Sequence, residues 1–277
     1  MPQPRFTFAA ATAADGRIFL VGGATDFAGA SSTLTVYNPA DDSYRALSAP
    51  PLAFVGQAAA SFVGGRLLVA GGSLSSYDPD TDAWSVRADD PSDLINRALA
   101  AGPDGRLYAF GGNSSTGRSP TASNADSYDP QTDVWTALPS MPFQGATDGF
   151  AAVNVGRLFY VVGPEAAVFD LSSQQWSSLP APPTPRYSLG AAADPDGRLV
   201  TIGGFVANAG GSSAVVEIYD PPAGRWLVGS PAPIAVGEMA TTPSCGGSIF
   251  VFGGDSNGTI SDRVQVYAAD KGWTISR

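Results

Sequence analysis

The sequence predicts an all-β repeat fold made of six four-stranded antiparallel sheets packed face to face. Three observations predict it. A unit of about fifty residues recurs six times, carrying a Gly-Arg or Gly-Ser turn, an apolar run, a Tyr-Asp-Pro-like turn and a terminal aromatic. Self-similarity at that period marks stacked supersecondary units, each burying its apolar faces only against its neighbours. The runs opened by Arg17, Arg66, Arg106, Arg157, Arg198 and Ser248 (RIFLVGG, RLLVAGG, RLYAFGG, RLFYVVG, RLVTIGG, SIFVFGG) are apolar at nearly every position, which predicts strands covered on both faces. These anchors advance by 49, 40, 51, 41 and 50 residues. A strand needs about five or six residues, so even the shortest unit holds four strands and their turns.

Each unit divides in the same order. A small-residue segment such as FAAATAADG or LGAAADPDG gives strand A, and Asp-Gly or Gly-Gly then predicts a tight two-residue hairpin into the apolar run, strand B. VYNPADDSY, SYDPDTDAW, SYDPQTDVW, VFDLSSQQW, IYDPPAGRW and VYAADKGW follow as strands C and D, with Asp and Pro suited to a type I turn. Ser92–Ala101 (SDLINRALAA) has an N-cap and good helix formers. Its five counterparts carry Gly, Thr, Phe and β-branched residues, so strand is the consistent assignment. Units differ mainly in the loop joining B to C.

The diglycines Gly22-Gly23, Gly71-Gly72, Gly111-Gly112, Gly203-Gly204 and Gly253-Gly254, the strand C aromatics Tyr37, Tyr77, Tyr128, Phe169, Tyr219 and Tyr267, and Trp84, Trp135, Trp176, Trp226 and Trp273 together resemble the kelch repeat. The resemblance covers essentially the whole chain. It implies a six-bladed kelch-type β-propeller around a central channel, with blades at approximately 4–50, 51–90, 91–140, 141–181, 182–231 and 232–277 of a single domain. Blade 4 departs with Gly163-Pro164 and Phe169-Asp170-Leu171, and blade 1 carries Tyr44 where Trp belongs. Glycine is expected to let a large ring lie against the backbone, and the aromatics are expected to be packing residues. Strand A of blade 1 starts near Met1 and strand D of blade 6 ends near Arg277, so each blade is expected to use consecutive residues. Closure would then rest on side-chain packing between blades 1 and 6.

A chain of 277 residues fits one repeat domain burying roughly 75% of its unfolded surface. Cys245 is the single cysteine and makes no internal disulfide. No basic-then-apolar leader and no membrane-length apolar stretch occurs in the sequence, which points to the cytoplasm, with an excised part of an exported protein as the alternative. The triplets Asn113-Ser114-Ser115 and Asn257-Gly258-Thr259 matter as glycosylation sites only in the exported case. A net charge of −10 and one lysine, Lys271, argue against nucleic acid. Histidine is absent, which excludes Ser-His-Asp and Cys-His catalysis and ordinary zinc sites. No metal or cofactor is expected. A copper oxidase family related to kelch proteins holds its metal through histidines; this chain resembles its fold and lacks those ligands, so that activity does not carry over. Gly254-Asp255-Ser256-Asn257-Gly258 formally matches a nucleophile elbow but follows a strand into a loop and has no base. Residues 78–82 (DPDTD) lack the glycine and glutamate of a calcium loop and read as a C–D turn.

What remains is the funnel at one channel end, where the entrances to strand A meet the B–C loops. Counting back from the anchors places Arg5, Gln57, Asn96, Arg97, Gln144, Asp148, Arg186, Tyr187 and Glu238 on one ring, accompanied by Phe6, Phe8, Phe54, Thr147 and Met239. Arg5 and Arg186 fall at matching offsets, and Arg97 matches Gln57 and Asp148. Three arginines with flanking aromatics suit a carboxylate or sulfate, while pairing with nearby acids is the bland alternative. Long B–C loops in blades 1, 3, 5 and 6 beside short ones in blades 2 and 4 predict an open groove. Two functions follow. The resemblance implies a non-catalytic, monomeric module that binds a protein or peptide, an acidic one by the arginine count, or a small anion. The alternative is a metal-independent enzyme such as a sugar-acid epimerase or mutarotase, since a bacterial sialic acid mutarotase is similar in having six kelch blades; Glu238 or Asp148 with Arg97 and Arg186 would serve it.

Overall fold

The structure, a computed structural model, describes residues 1–26, 29, 31–51, 58–114, 123–143, 149–207 and 209–276. Six four-stranded antiparallel sheets follow one another along the chain, each in the order A-B-C-D. Strand A is Phe6–Thr12, Ala59–Val63, Ala98–Ala101, Ala151–Val155, Gly190–Ala193 and Ala240–Pro243 in blades 1 to 6. Each packs beside strand A of both neighbouring blades, the first against the last included, so the innermost strands form a closed ring. The Ser92–Ala101 segment is strand, as its counterparts dictate.

Strand B is the buried centre of each blade. Ile18, Leu67, Leu107, Phe159 and Leu199 are 0% exposed, and each faces the strand C aromatic of its own blade: Tyr37, Tyr77, Tyr128, Phe169 and Tyr219. Alternate residues of B then feed the two flanking interfaces, so one core cluster joins blades 1 and 2 and another joins blades 3 and 4. This two-sided burial explains the unbroken apolar runs.

The tryptophans do more than pack. Nε1 of Trp84, Trp135, Trp176, Trp226 and Trp273 donates to the carbonyls of Ser48, Ala88, Pro139, Pro180 and Ser230 at 2.7–3.0 Å, each in the connection that precedes its own blade. The hydroxyls of Tyr77 and Tyr128 bind Asp82 and Asp133, whose carboxylates also accept the Ser48 and Ala88 N–H groups. Five blades are thereby latched to their predecessors. In blade 1 Tyr44 replaces the tryptophan, and its buried hydroxyl has no hydrogen-bond partner.

Two expectations need correction and a third needs an addition. The A–B hairpin is a two-residue turn in blades 2 and 4, where Val63 pairs with Arg66 and Val155 with Leu158. In blades 1, 3, 5 and 6 the bonds Ala13–Arg17, Gly102–Arg106, Asp194–Arg198 and Ser244–Ser248 close three-residue turns, the next most favoured way of matching strand twist. The diglycines also make room for something other than a strand C ring. A Cβ on Gly23, Gly112, Gly204 or Gly254 would lie 2.6–2.8 Å from the carbonyl oxygen of Phe6, Ile95, Tyr187 or Gly237, so the backbone entering strand A crosses directly over them. Finally, closure uses the expected side-chain packing, with Phe8, Ile18, Leu20 and Tyr37 of blade 1 clustered against Ala240, Phe250, Phe252 and Val264 of blade 6, and main-chain bonds are added to it. Arg5 N–H donates to Ser261 O at 3.2 Å, Gly254 N–H to Arg5 O at 2.8 Å and Thr7 N–H to Glu238 O at 2.9 Å, and the amino terminus reaches Asp262 O at 2.6 Å. Backbone amides buried at a blade interface need partners wherever the chain ends fall. Among the described residues no helix is long and apolar enough to cross a membrane.

Candidate functional site

Strand pairing gives the register of the channel. Ala10, Ala60, Leu99, Ala152, Ala191 and Thr241 line a shared layer of its wall, and towards the turn-bearing end the space opens to about 260 Å³. Three residues before this layer lies the mouth, described in five blades: Thr7, Asn96, Gly149, Ser188 and Glu238. Thr7, Asn96, Gly149, Ser188 and Glu238 all have left-handed backbones, at φ 53°, 57°, 76°, 48° and 53°. Only one of these five is glycine, and a β-branched threonine in this region is a genuine outlier.

The repetition has a local cause. Turning the chain left-handed here aims the N–H and C=O of the mouth residue sideways, at the adjoining blades. Thr7 N–H binds Glu238 O, Glu238 N–H binds Ser188 O at 3.1 Å, Ser188 N–H binds Gly149 O at 2.8 Å, and Ala58 N–H binds Thr7 O at 3.2 Å. A main-chain belt thus runs across blades 4, 5, 6, 1 and 2. The belt fixes one backbone geometry while the residues that turn left-handed on it, Thr7, Gly149, Ser188 and Glu238, differ in side chain.

The register also changes which residues correspond. Because blades 2 and 4 have shorter A–B turns, Arg97 corresponds to Ala58 and Phe150 rather than to Gln57 and Asp148. With Phe8, Leu189 and Met239 these form a layer of buried residues, 1–7% exposed. Arg97 therefore enters the blade interior. Its Nη1 meets Asp90 and Ser92, its Nη2 meets Asp126 at 2.7 Å and Ala109 O at 2.9 Å, and its Nε meets Gly111 O at 3.1 Å. Burial pushes the Asp126 carboxyl up, and the Arg97 charge opposes that rise.

Arg186 ends in the same place from a different offset. It is 0% exposed and holds Glu217 at 2.9 Å, Thr201 Oγ1 at 3.0 Å and Val215 O at 3.0 Å, with Gly203 O and Thr184 O beyond. Glu217 also accepts the Thr184 N–H at 2.8 Å. In blade 6 the same place is taken by Gln265, which accepts from Ile234 N–H at 2.8 Å. The donors of Arg97 and Arg186 are thus committed within their own blades, and the structure does not bring the three arginines together around the axis. Arg5, the counterpart of Arg186, is the exception: buried, stacked 5.7 Å from the Phe8 ring, and without a partner at Nε or Nη1.

Three sequence-selected residues do sit at the funnel. Asn96 donates to Asn113 Oδ1 at 3.0 Å, joining the mouth to the B–C loop of blade 3. Tyr187, 39% exposed, packs 5.6 Å from Phe205 of its own B–C loop, where Arg186–Tyr187 and Phe205–Val206 form a two-stranded ribbon. Glu238 is half-buried; burial first and the Asp255 charge second push its carboxyl above the ordinary value. Gln57, Gln144 and Asp148, with Phe54 and Thr147, lie outside the described residues.

Sequence reasoning missed the coupling of two loops. Ser212, after Phe205, donates through Oγ to Asp255 O at 2.7 Å and through N–H to Asn257 Oδ1 at 2.9 Å, while Asn257 N–H returns to Ser212 Oγ at 3.0 Å. The B–C loops of blades 5 and 6 therefore form one wall beside Tyr187 and Glu238. Within it Asp255–Ser256 pairs with Thr259–Ile260 as a small hairpin, so the segment that formally matches a nucleophile elbow has no strand-turn-helix context.

Comparison with known proteins agrees with this architecture. The family described as Kelch motif matches residues 96–142, which run from the mouth residue of blade 3 past its last strand. Kelch-like protein 35 of Homo sapiens is 33% identical over 147 residues, 51% of this chain and 24% of that protein. Kelch repeat and BTB domain-containing protein 13 of Homo sapiens is 30% identical over 128 residues, 43% of this chain and 27% of that protein. The chain spans about a quarter of the length of the curated relatives it matches. The solved structure of YjhT superposes with a TM-score of 0.81 over 100% of this chain and 98% of that one at 16% identity, a likeness of fold. The protein is a six-bladed β-propeller that is similar to kelch-like proteins over about half of its length.

Proposed function

We propose that this propeller is a non-catalytic binding module that holds a peptide segment of a protein partner on its funnel face. The observation that carries the reading is the Tyr187–Phe205 pair, Tyr187 exposed and Phe205 half-buried, standing beside the wall made by the cross-tied loops of blades 5 and 6. Aromatic anchors on a rigid backbone are the usual centres of binding energy, and the left-handed belt supplies that rigidity. The kelch-like relatives support a protein-interaction role. An acidic peptide or small anion, the ligand expected from the arginine count, draws no support on this face, since Arg97 and Arg186 are neutralised internally and Arg5 borders a different cavity. At Glu238 a hydrogen-bond donor of the partner fits better.

Selection of displayed peptides against the full chain tests this. Peptides recovered on the wild type lose about tenfold or more in affinity on Tyr187→Ala, whereas Ser61→Ala, at the opposite end of the channel, leaves them unchanged. Equal binding to wild type and Tyr187→Ala would remove the reading. The raised Glu238 carboxyl favours a second reading, acid-base chemistry at the mouth on a sugar acid. Under it, Glu238→Gln abolishes anomeric exchange followed by NMR; under the first, no exchange occurs in either protein.

A further inference from the structure

Blades 1 and 5 carry the same arginine in the same place but surround it differently. In blade 5 the partners of Arg186 include the carboxylate of Glu217 and the hydroxyl of Thr201. In blade 1 the paired strands set Thr35 where Glu217 stands and Leu20 where Thr201 stands. Arg5 remains 8% exposed, its Nε and Nη1 are buried without a hydrogen-bond partner, and no carboxylate among the described residues lies within ion-pair distance. An unpaired buried guanidinium is expensive, and proteins seldom keep one without a counter-charge.

A cavity of about 450 Å³ opens beside it between strands C and D of blade 1 and the amino-terminal segment that closes the ring, lined by Arg5, Gln3, Thr33, Thr35, Tyr44 and Ala46 among others. The Tyr44 hydroxyl there is also buried and unpartnered. Gln3 corresponds to Thr184, whose N–H donates to the Glu217 carboxylate in blade 5. The donors that hold a carboxylate inside blade 5 thus recur in blade 1 around solvent-accessible space.

We propose that this seam pocket binds an exogenous carboxylate, held by the Arg5 guanidinium in the position that the Glu217 side chain fills in blade 5. The site is separate from the funnel face and does not depend on the reading given for it. Burial lowers the pKa of Arg5, with no acid opposing the shift, and a bound carboxylate supplies that opposition. Because the anion sits between blade 1 and the segment that closes the ring, its binding stabilises the fold by mass action.

The test titrates the full chain with sodium acetate and, separately, with a blocked Gly-Glu-Gly tripeptide, against sodium chloride at equal ionic strength. Thermal unfolding and the Arg5 Nε–Hε NMR resonance are followed. Acetate or the tripeptide produces a saturable rise in Tm and moves that resonance, and chloride does neither. Saturation by acetate identifies a free small carboxylate as sufficient, while a response to the tripeptide alone identifies an acidic peptide side chain. Thr35→Glu supplies the carboxylate internally, raises Tm and weakens the response by about tenfold or more. Arg5→Met loses the response without losing stability, because it removes an unpaired charge. A stationary Arg5 resonance with both probes, or an acetate response of wild-type strength in Thr35→Glu or Arg5→Met, overturns the proposal.

Discussion

Glu217→Ala removes the only charge among the described residues that neutralises Arg186. The carboxylate accepts from Arg186 Nη2 at 2.9 Å and from Thr184 N–H at 2.8 Å, and the guanidinium it faces is 0% exposed. Every other partner of Arg186 is a neutral carbonyl or hydroxyl. Removing one member of such a pair costs about 3–5 kcal/mol, because the other stays buried and charged. With an unfolding entropy of about 2.1 cal/mol/K per residue, a chain of 277 residues loses about 5–9 °C in Tm. Glu217→Gln, the residue type that blade 6 uses as Gln265, keeps the acceptor for Thr184 and loses about half as much. The double change Arg186→Met/Glu217→Leu recovers most of the loss, since no charge is left stranded. Differential scanning calorimetry of the four proteins at low and high salt measures all of this, and burial makes the losses insensitive to salt. If Glu217→Ala melts within about 1 °C of the wild type, Arg186 is not held as described.

Other perturbations read the remaining devices. Trp226→Phe removes the 2.8 Å bond to Pro180 O and costs about 1 kcal/mol, measured by urea unfolding. Gly254→Ala, at φ +96° with its Cβ 2.7 Å from Gly237 O, destabilises more than Gly258→Ala, at φ +87° with nothing within 4 Å. The second carries only the left-handed penalty of about 1–2 kcal/mol, so the difference in denaturation midpoint isolates the crowding. For Glu238 the folded pKa is raised above 4.5, chiefly by burial, so its ionised form disfavours the folded state. That penalty is complete above the raised pKa and vanishes below the unfolded value. Glu238→Gln therefore raises Tm at about pH 7 and leaves it unchanged near pH 3.5, read by thermal scans across the interval.

The strands and blades were legible because each rests on a local pattern: apolar runs for B, small residues for A, and aromatic-containing hairpins for C and D. The site was legible only in part. Offsets counted from the Gly-Arg anchors treat every A–B turn as equal, and the shorter turns of blades 2 and 4 displaced Asp148 from the mouth position that Gly149 occupies. Nothing in Thr7, Ser188 or Glu238 announces a left-handed backbone, which the sideways bonds between blades impose. The arginines were visible as charges, whereas their partners lie 29 and 31 residues away on strand C. A signal for them did exist. Blades 3 and 5 alone carry an acid two residues before the strand C aromatic, Asp126 and Glu217, and they are the blades of Arg97 and Arg186. Blade 1 has the arginine without the acid, a mismatch that gains meaning only when the two strands are placed side by side.

The account rests on a ring whose seam and mouth are sealed by main-chain bonds, giving the funnel one fixed geometry. Amide hydrogen exchange of Thr7, Glu238, Gly254 and Gly204 measures this directly. The predicted result is strong protection of Thr7 and Gly254, two of the donors that bridge blades 6 and 1, equal to that of Glu238 and Gly204, which bridge blades 5 and 6. Exchange of Thr7 and Gly254 at the rate of an exposed loop, with Glu238 and Gly204 protected, would contradict the sealed ring and the rigid mouth built on it.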